Sequence, residues 1–281
     1  MSYRFDPQRQ YLMPTHFGPM AGPRHSPSGT RFPDPDNRIK ETYTVSFLTE
    51  PDVLSALLPE GFALEGEPIV SVTFSYMQNI EWLAGRGYNM LGVTIPARIR
   101  AGGRSIAGPF LLVLWENLAD PIITGREQLG FNKIYCELPE FSTSAGGVTC
   151  RAAWLGHQFC LMYLRDLNER PNPVRYASAV GEDTAERANL LHLRYFPSVG
   201  RLSEAAICEP VISPLSSASG VTEAVLFGAG KVDFLKTRWE DMPTQYHIVE
   251  RLRALPVIET RGAEYRKIKG GGDHFAQESV G

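Results

Sequence analysis

The stretch Pro68-Ile69-Val70-Ser71-Val72-Thr73-Phe74-Ser75-Tyr76-Met77 alternates apolar and hydroxyl-bearing side chains. A side-chain period of two makes it a β-strand, with Val70, Val72, Phe74 and Tyr76 on one face and Ser71, Thr73 and Ser75 on the other. Upstream, Tyr43-Thr44-Val45-Ser46-Phe47 repeats the pattern, with Tyr43, Val45 and Phe47 sharing a side. Between the two strands, Thr49-Glu50-Pro51-Asp52 starts a short helix with an apolar stripe of Val53, Leu54, Leu57 and Leu58, closed by Pro59 and Gly61. Downstream, Phe110-Leu111-Leu112-Val113-Leu114-Trp115 is apolar on both faces, as a strand buried in the middle of a barrel or sandwich would be. Further strands are predicted over 147–155, 190–196 and 223–235. One clear helix is predicted over 244–255, where Tyr246, Ile248, Val249, Leu252 and Leu255 recur at helical spacing before Pro256. Many strands and few short helices give a mainly β chain of α+β type, a single domain built as a closed or partly closed barrel.

The two ends differ from this middle. Residues 1–37 hold seven of the chain's 21 prolines and develop no apolar periodicity, so they read as an N-terminal arm that cannot offset its own ordering entropy. Residues 269–281 are Gly-rich and polar and read as a flexible tail; the domain proper is 38–268. With 281 residues, a net charge of -3 and no basic run, the chain has core enough for one large domain and no footprint for nucleic acid. No apolar run approaches the ~20 residues that span a bilayer, and no secretory signal opens the sequence. Cys136, Cys150, Cys160 and Cys208 have no metal-like spacing and read as reduced thiols, which points to a cytoplasmic protein. No metal constellation is visible.

The segment that carries chemistry is Gly125-Arg126-Glu127-Gln128-Leu129-Gly130-Phe131-Asn132-Lys133-Ile134. On its residues alone it is a polar turn that enters an apolar stretch, with one lysine among Leu129, Phe131, Ile134 and Tyr135. An ammonium buried there without a partner is costly, and burial favours the free amine, which is a nucleophile toward ketones. A lysine that extends from a strand end to solvent is the alternative reading.

The string GREQLGFNK resembles the signature of the acetoacetate decarboxylase-like superfamily, in which Gly-Arg-Glu is followed, six residues after the Glu, by the Schiff-base lysine. The Tyr43 strand, the helix that ends at Pro59, Glu67-Pro68, Ile95-Pro96 and Leu255-Pro256-Val257 extend the resemblance over residues 38–260. It implies an antiparallel, barrel-like fold, Lys133 as the nucleophile, and a homo-oligomer, dimer or tetramer. It implies no cofactor, since imine chemistry needs none.

The departures from the signature shape the expected activity. Ile134 stands where the decarboxylases carry a second lysine, Thr73 and Met90 fall where they carry glutamates, and Lys40 falls near their arginine. Relatives with pockets altered in this way condense, dehydrate or hydrate 2-oxo acids through the same lysine. The expected function is therefore a Schiff-base lyase of aldolase-dehydratase or hydratase type acting on a small 2-oxo or 3-oxo acid. Acetoacetate decarboxylation and a non-catalytic small-ligand barrel are the alternatives. Tyr76, Gln78, Tyr88, Met90 and Glu116 are candidate pocket residues, while Arg126 and Glu127 belong to the signature and more readily order the backbone than perform chemistry.

Overall fold

The computed structural model describes residues 4–20, 26, 28, 37–169, 186–215, 220–271 and 276–280. The expected arm and tail fall partly outside these. The chain runs β1 (Ile39–Leu48), α1 (Pro51–Ser55), β2 (Phe62–Leu64), β3 (Ile69–Ile80), β4 (Arg86–Ala101), β5 (Arg104–Glu116), α2 (Ala119–Leu129) and β6 (Lys133–Tyr135). It continues through β7 (Ser142–Ser144), β8 (Gly147–Trp154), β9 (His157–Asn168), β10 (Glu186–Ser198), β11 (Arg201–Pro214), β12 (Val221–Phe234), α3 (Tyr246–Arg253), β13 (Glu259–Lys269) and β14 (Glu278–Ser279).

All fourteen strands belong to one sheet, in the order β14-β11-β10-β5-β4-β3-β1-β13-β12-β9-β8-β7, with β2 beside β4 and β6 beside β5. Of the closed or partly closed barrel expected, the closed form is excluded: the order has two ends, β14 and β7, and the sheet does not close. Nor is it purely antiparallel, because β5 runs parallel to both β10 and β6. The second pairing follows from connectivity. A helix, α2, lies between β5 and β6, and a helical crossover returns the chain in its original direction. That unit sets Lys133 beside Leu114.

The alternation of β3 divides the molecule. Val70, Val72, Phe74 and Tyr76 are buried in an apolar core with Tyr43 and Val45 of β1, Leu91 and Val93 of β4, Trp115 of β5, Cys160 and Met162 of β9, and Val249 and Leu252 of α3. The opposite face of the same strands carries hydroxyls. Thr44 and Thr73 hydrogen-bond across β1 and β3 at 2.9 Å, and so do Ser46 and Ser71. Among the described residues no helix is long and apolar enough to cross a membrane.

The predicted helix over 244–255 forms over the shorter span of α3, and Gly125 to Leu129 is the end of a helix rather than a polar turn. The sequence hides α2 because Pro121, Ile122, Ile123, Thr124 and Gly125 are poor helix formers and place no apolar stripe at helical spacing. Packing against β5 and β6 overrides that propensity.

Candidate active site

Gly130 ends α2 in a left-handed conformation (φ 73°), and its amide and that of Phe131 both donate to the Gly125 carbonyl. Such an exit favours glycine, which pays no Cβ penalty there. The chain then turns straight into β6, so the Lys133 side chain folds back across the helix. There it lies on Gly125: a Cβ built at Gly125 would stand 2.6 Å from Cδ, Cε and Nζ of Lys133. Arg126 fixes the backbone, its Nη1 donating to the Lys133 carbonyl at 2.8 Å.

The Lys133 ammonium is buried but partnered. Nζ lies 2.9 Å from Oε1 of Glu116, at the end of β5, and donates to the Pro121 carbonyl at 3.1 Å. The Phe131 ring centroid is 5.3 Å away. Glu116 has no solvent exposure, and burial raises its carboxyl above the usual range, with the Lys133 charge offsetting only part of that shift. The expectation of a lysine without a charged partner therefore gives way to a buried Lys–Glu pair. The cause lies in the βαβ unit, which brings the end of β5 and the start of β6 side by side.

Lys133 lines a cavity of about 510 Å³, with Glu116 buried behind it. The hydroxyl-bearing face of the sheet lines it through Thr73, Ser75 and Thr94, α2 through Thr124 and Gly125, and β10 through Asn189. Because strands from β10 round to β12 contribute, the open sheet must curl around this space. Four cations line it, namely Arg38, Lys40, Lys133 and Arg266, and no carboxylate does among the described residues.

Of the residues singled out from sequence, Lys40, Thr73, Tyr88, Met90 and Lys133 line this cavity. Met90 and Thr73 meet it from adjacent strands, with Met90 paired to Ser75 and to Glu116. Tyr76 does not reach it. It lies on the core face, 1% exposed, packed edge-on to Tyr43 and Phe141, where burial raises its phenol far above the usual range. Gln78 is exposed to solvent. Glu127 takes part through its backbone carbonyl, which accepts from Arg194 at 2.7 Å. Arg126 and Ile134 border a second cavity of about 260 Å³ instead, because β6 alternates and turns Ile134 away from Lys133.

Three site residues have no counterpart in the sequence reading. Arg38 stands two residues before Lys40, an i, i+2 spacing that would have placed both on one strand face. Arg266 lies in β13, whose Arg-Gly-Ala-Glu-Tyr-Arg-Lys run obscures its alternation. His192 is wholly buried under the site and stacks on Phe131 at 4.5 Å, with Nδ1 2.8 Å from the Gly130 carbonyl and Nε2 3.2 Å from Gln277. Burial, chiefly, holds its imidazole below the usual histidine range.

Comparison with known proteins reaches the same architecture from outside. Solved structures that share the fold include acetoacetate decarboxylase from Legionella pneumophila (TM-score 0.64, 16% identity, covering 90% of this chain and 88% of that one). They also include the enduracididine biosynthesis enzyme MppR in complex with pyruvate (0.59, 16%, 91% and 95%). A third is an acetoacetate decarboxylase-like enzyme from Sphingomonas wittichii RW1 (0.57, 16%, 88% and 95%). No curated protein matches by sequence. The family model for acetoacetate decarboxylase matches residues 12–264, from before β1 into β13 and across the whole βαβ unit that carries Lys133. By that match the chain belongs to the acetoacetate decarboxylase family.

Proposed function

We propose that this protein is a Schiff-base lyase that acts on small 2-oxo acids through Lys133, by condensation with dehydration or by hydration rather than by decarboxylation. The observation that carries the reading is the buried Lys133–Glu116 pair, whose lysine lines a ligand-sized cavity. Free Nζ attacks the ketone carbon, and the carbonyl oxygen takes up a proton while the nitrogen gives one up. Loss of water leaves a protonated imine. Glu116, 2.9 Å from Nζ and with its carboxyl raised by burial, is placed to give its proton to the carbonyl oxygen, to take up the one the nitrogen releases and to return that to the departing hydroxyl. The imine then draws electrons from the neighbouring carbon. Loss of a proton there gives an enamine, which attacks an aldehyde or exchanges water at a conjugated position.

Two features favour this outcome over decarboxylation. Thr73 and Met90 occupy cavity positions where the resemblance implies glutamates, and no lining carboxylate remains among the described residues to orient a departing one. The solved structure of MppR with the condensation product of pyruvate and imidazole 4-carboxaldehyde is that of a protein with this fold. Deuterium exchange at C3 of pyruvate and its longer homologues, followed by NMR, tests the reading. Exchange is expected with the wild type and not with Lys133→Arg, which keeps the charge but is too basic to form the imine. Exchange undiminished in Lys133→Arg would overturn the role of Lys133, and carbon dioxide release from acetoacetate at a comparable rate would overturn the choice of reaction.

A further inference from the structure

The wall of the cavity away from Lys133 carries more positive charge than one carboxylate needs. Arg38, just before β1, and Lys40, within it, are two residues apart and so share a side of the extended chain. On β13, Ile268 faces Lys40 and Arg266 faces Thr42, which makes Arg266 a diagonal neighbour of Lys40. Three cations thus converge. Two are offset, since Arg38 Nη2 lies 3.3 Å from Glu81 and Arg266 Nε 2.9 Å from Glu264. The Lys40 side chain has no hydrogen-bond or ion-pair partner among the described residues. Burial, Arg266 and Arg38, in that order, hold its amine below the ordinary lysine range. An amine set between two guanidinium groups with no anion beside it costs stability, and an arriving anion reverses that cost.

The anion of a simple 2-oxo acid does not fill this place. Its carboxylate is bonded directly to the carbon that Nζ attacks and therefore stays beside Lys133. Lys40 stands on β1, four strands from β6 in the order β6-β5-β4-β3-β1, on another wall of the same cavity. The cavity, about 510 Å³, also has the size that encloses ligands well beyond three carbons.

We infer that the substrate carries a second, remote carboxylate received by Lys40 with Arg38 and Arg266, so that the enzyme prefers dicarboxylic oxo acids. This rests on Lys133 as the residue that meets the ketone. The test compares 2-oxoglutarate with 2-oxopentanoate, equal in chain length but different in the terminal carboxylate, on the full-length protein. Two readouts are taken: the shift in Tm with ligand, which needs no covalent step, and the borohydride-trapped adduct by mass. The dicarboxylate is expected to give a half-maximal Tm shift at a concentration lower by about tenfold or more, as a charge-assisted hydrogen bond provides. In Lys40→Met that preference is expected to collapse. Equal responses to the two acids in the wild type, or a preference kept in Lys40→Met, would overturn the inference whether or not Lys133 is modified. A selective Tm shift without any adduct would uphold the dianion site and count against the Schiff-base reading instead.

Discussion

The bare α-carbon of Gly125 leaves the space through which the Lys133 chain passes, since a Cβ there would stand 2.6 Å from three of its atoms. Gly125→Ala is expected to fold, because alanine is the better helix former by about 1 kcal/mol. Nζ, however, must leave the Glu116 carboxylate. Adduct formation with 2-oxo acids should then fall at least about tenfold with little loss in Tm. A fully reactive Gly125→Ala protein would contradict the packing argument. Glu116 is tested through pH. Its carboxyl is raised by burial, so in the folded state it holds a proton at pH values where the unfolded chain has lost it. This group therefore favours folding at low pH, and the benefit disappears as pH rises through the folded value. At 2.9 Å from Nζ, Glu116 is placed to exchange protons with the Lys133 amine in the proposed reaction. With Glu116→Gln the acid limb of the rate of adduct formation should shift and the maximal rate should fall by about 10²-fold. An unchanged limb would remove Glu116 from the chemistry. Lys133 was legible in the sequence through its signature, whereas its pairing with Glu116 was not. The two stand seventeen positions apart, and only the helical crossover between their strands joins them.

The βαβ element also decides what the residue after the lysine can do. Because β6 alternates, Lys133 faces the larger cavity with Thr124 and Phe131, while Ile134 borders the smaller one with Leu112 and Leu193. A cation at 134 would therefore point away from the amine. Ile134→Lys is expected to leave the pH of half-maximal adduct formation nearly unchanged, and a large downward shift would show that charge from a sequence neighbour governs the amine. Strands were easier to read than the helix. In β3 and β1 the hydroxyl–apolar alternation matches the two environments they separate, a core on one side and a polar cavity on the other. In α2 the β-branched pair Ile122-Ile123 and Gly125 speak against a helix, and only packing against the strands on either side makes one. Arg38 and Arg266 were missed for a related reason. Charged residues on a strand read as solvated from sequence alone, and the curl that turns them toward a cavity is a property of the whole sheet.

At the scale of the molecule, one open, curled sheet separates two tasks. Its apolar face packs against β9 and α3 and supplies the core, which leaves the opposite face free to carry Thr73, Ser75, Lys40 and the βαβ unit around a cavity. Strand count and alternation leave a closed and a partly closed barrel equally open; the parallel insertion of β6 and β10 beside β5 and the two free sheet ends were not deducible from local pattern, since they depend on which distant strands meet. On the proposed reading the chemistry falls to one of two lysines. Lys133 is paired with a carboxylate that can move a proton, and Lys40 is flanked by arginines and suited to hold an anion. Borohydride reduction with a saturating 2-oxo acid, followed by peptide mass mapping, tests that choice most directly. A single reduced adduct is expected on the peptide that contains Lys133, absent from Lys133→Arg; an adduct on Lys40, or none on a folded protein with any 2-oxo acid, would contradict the role of Lys133.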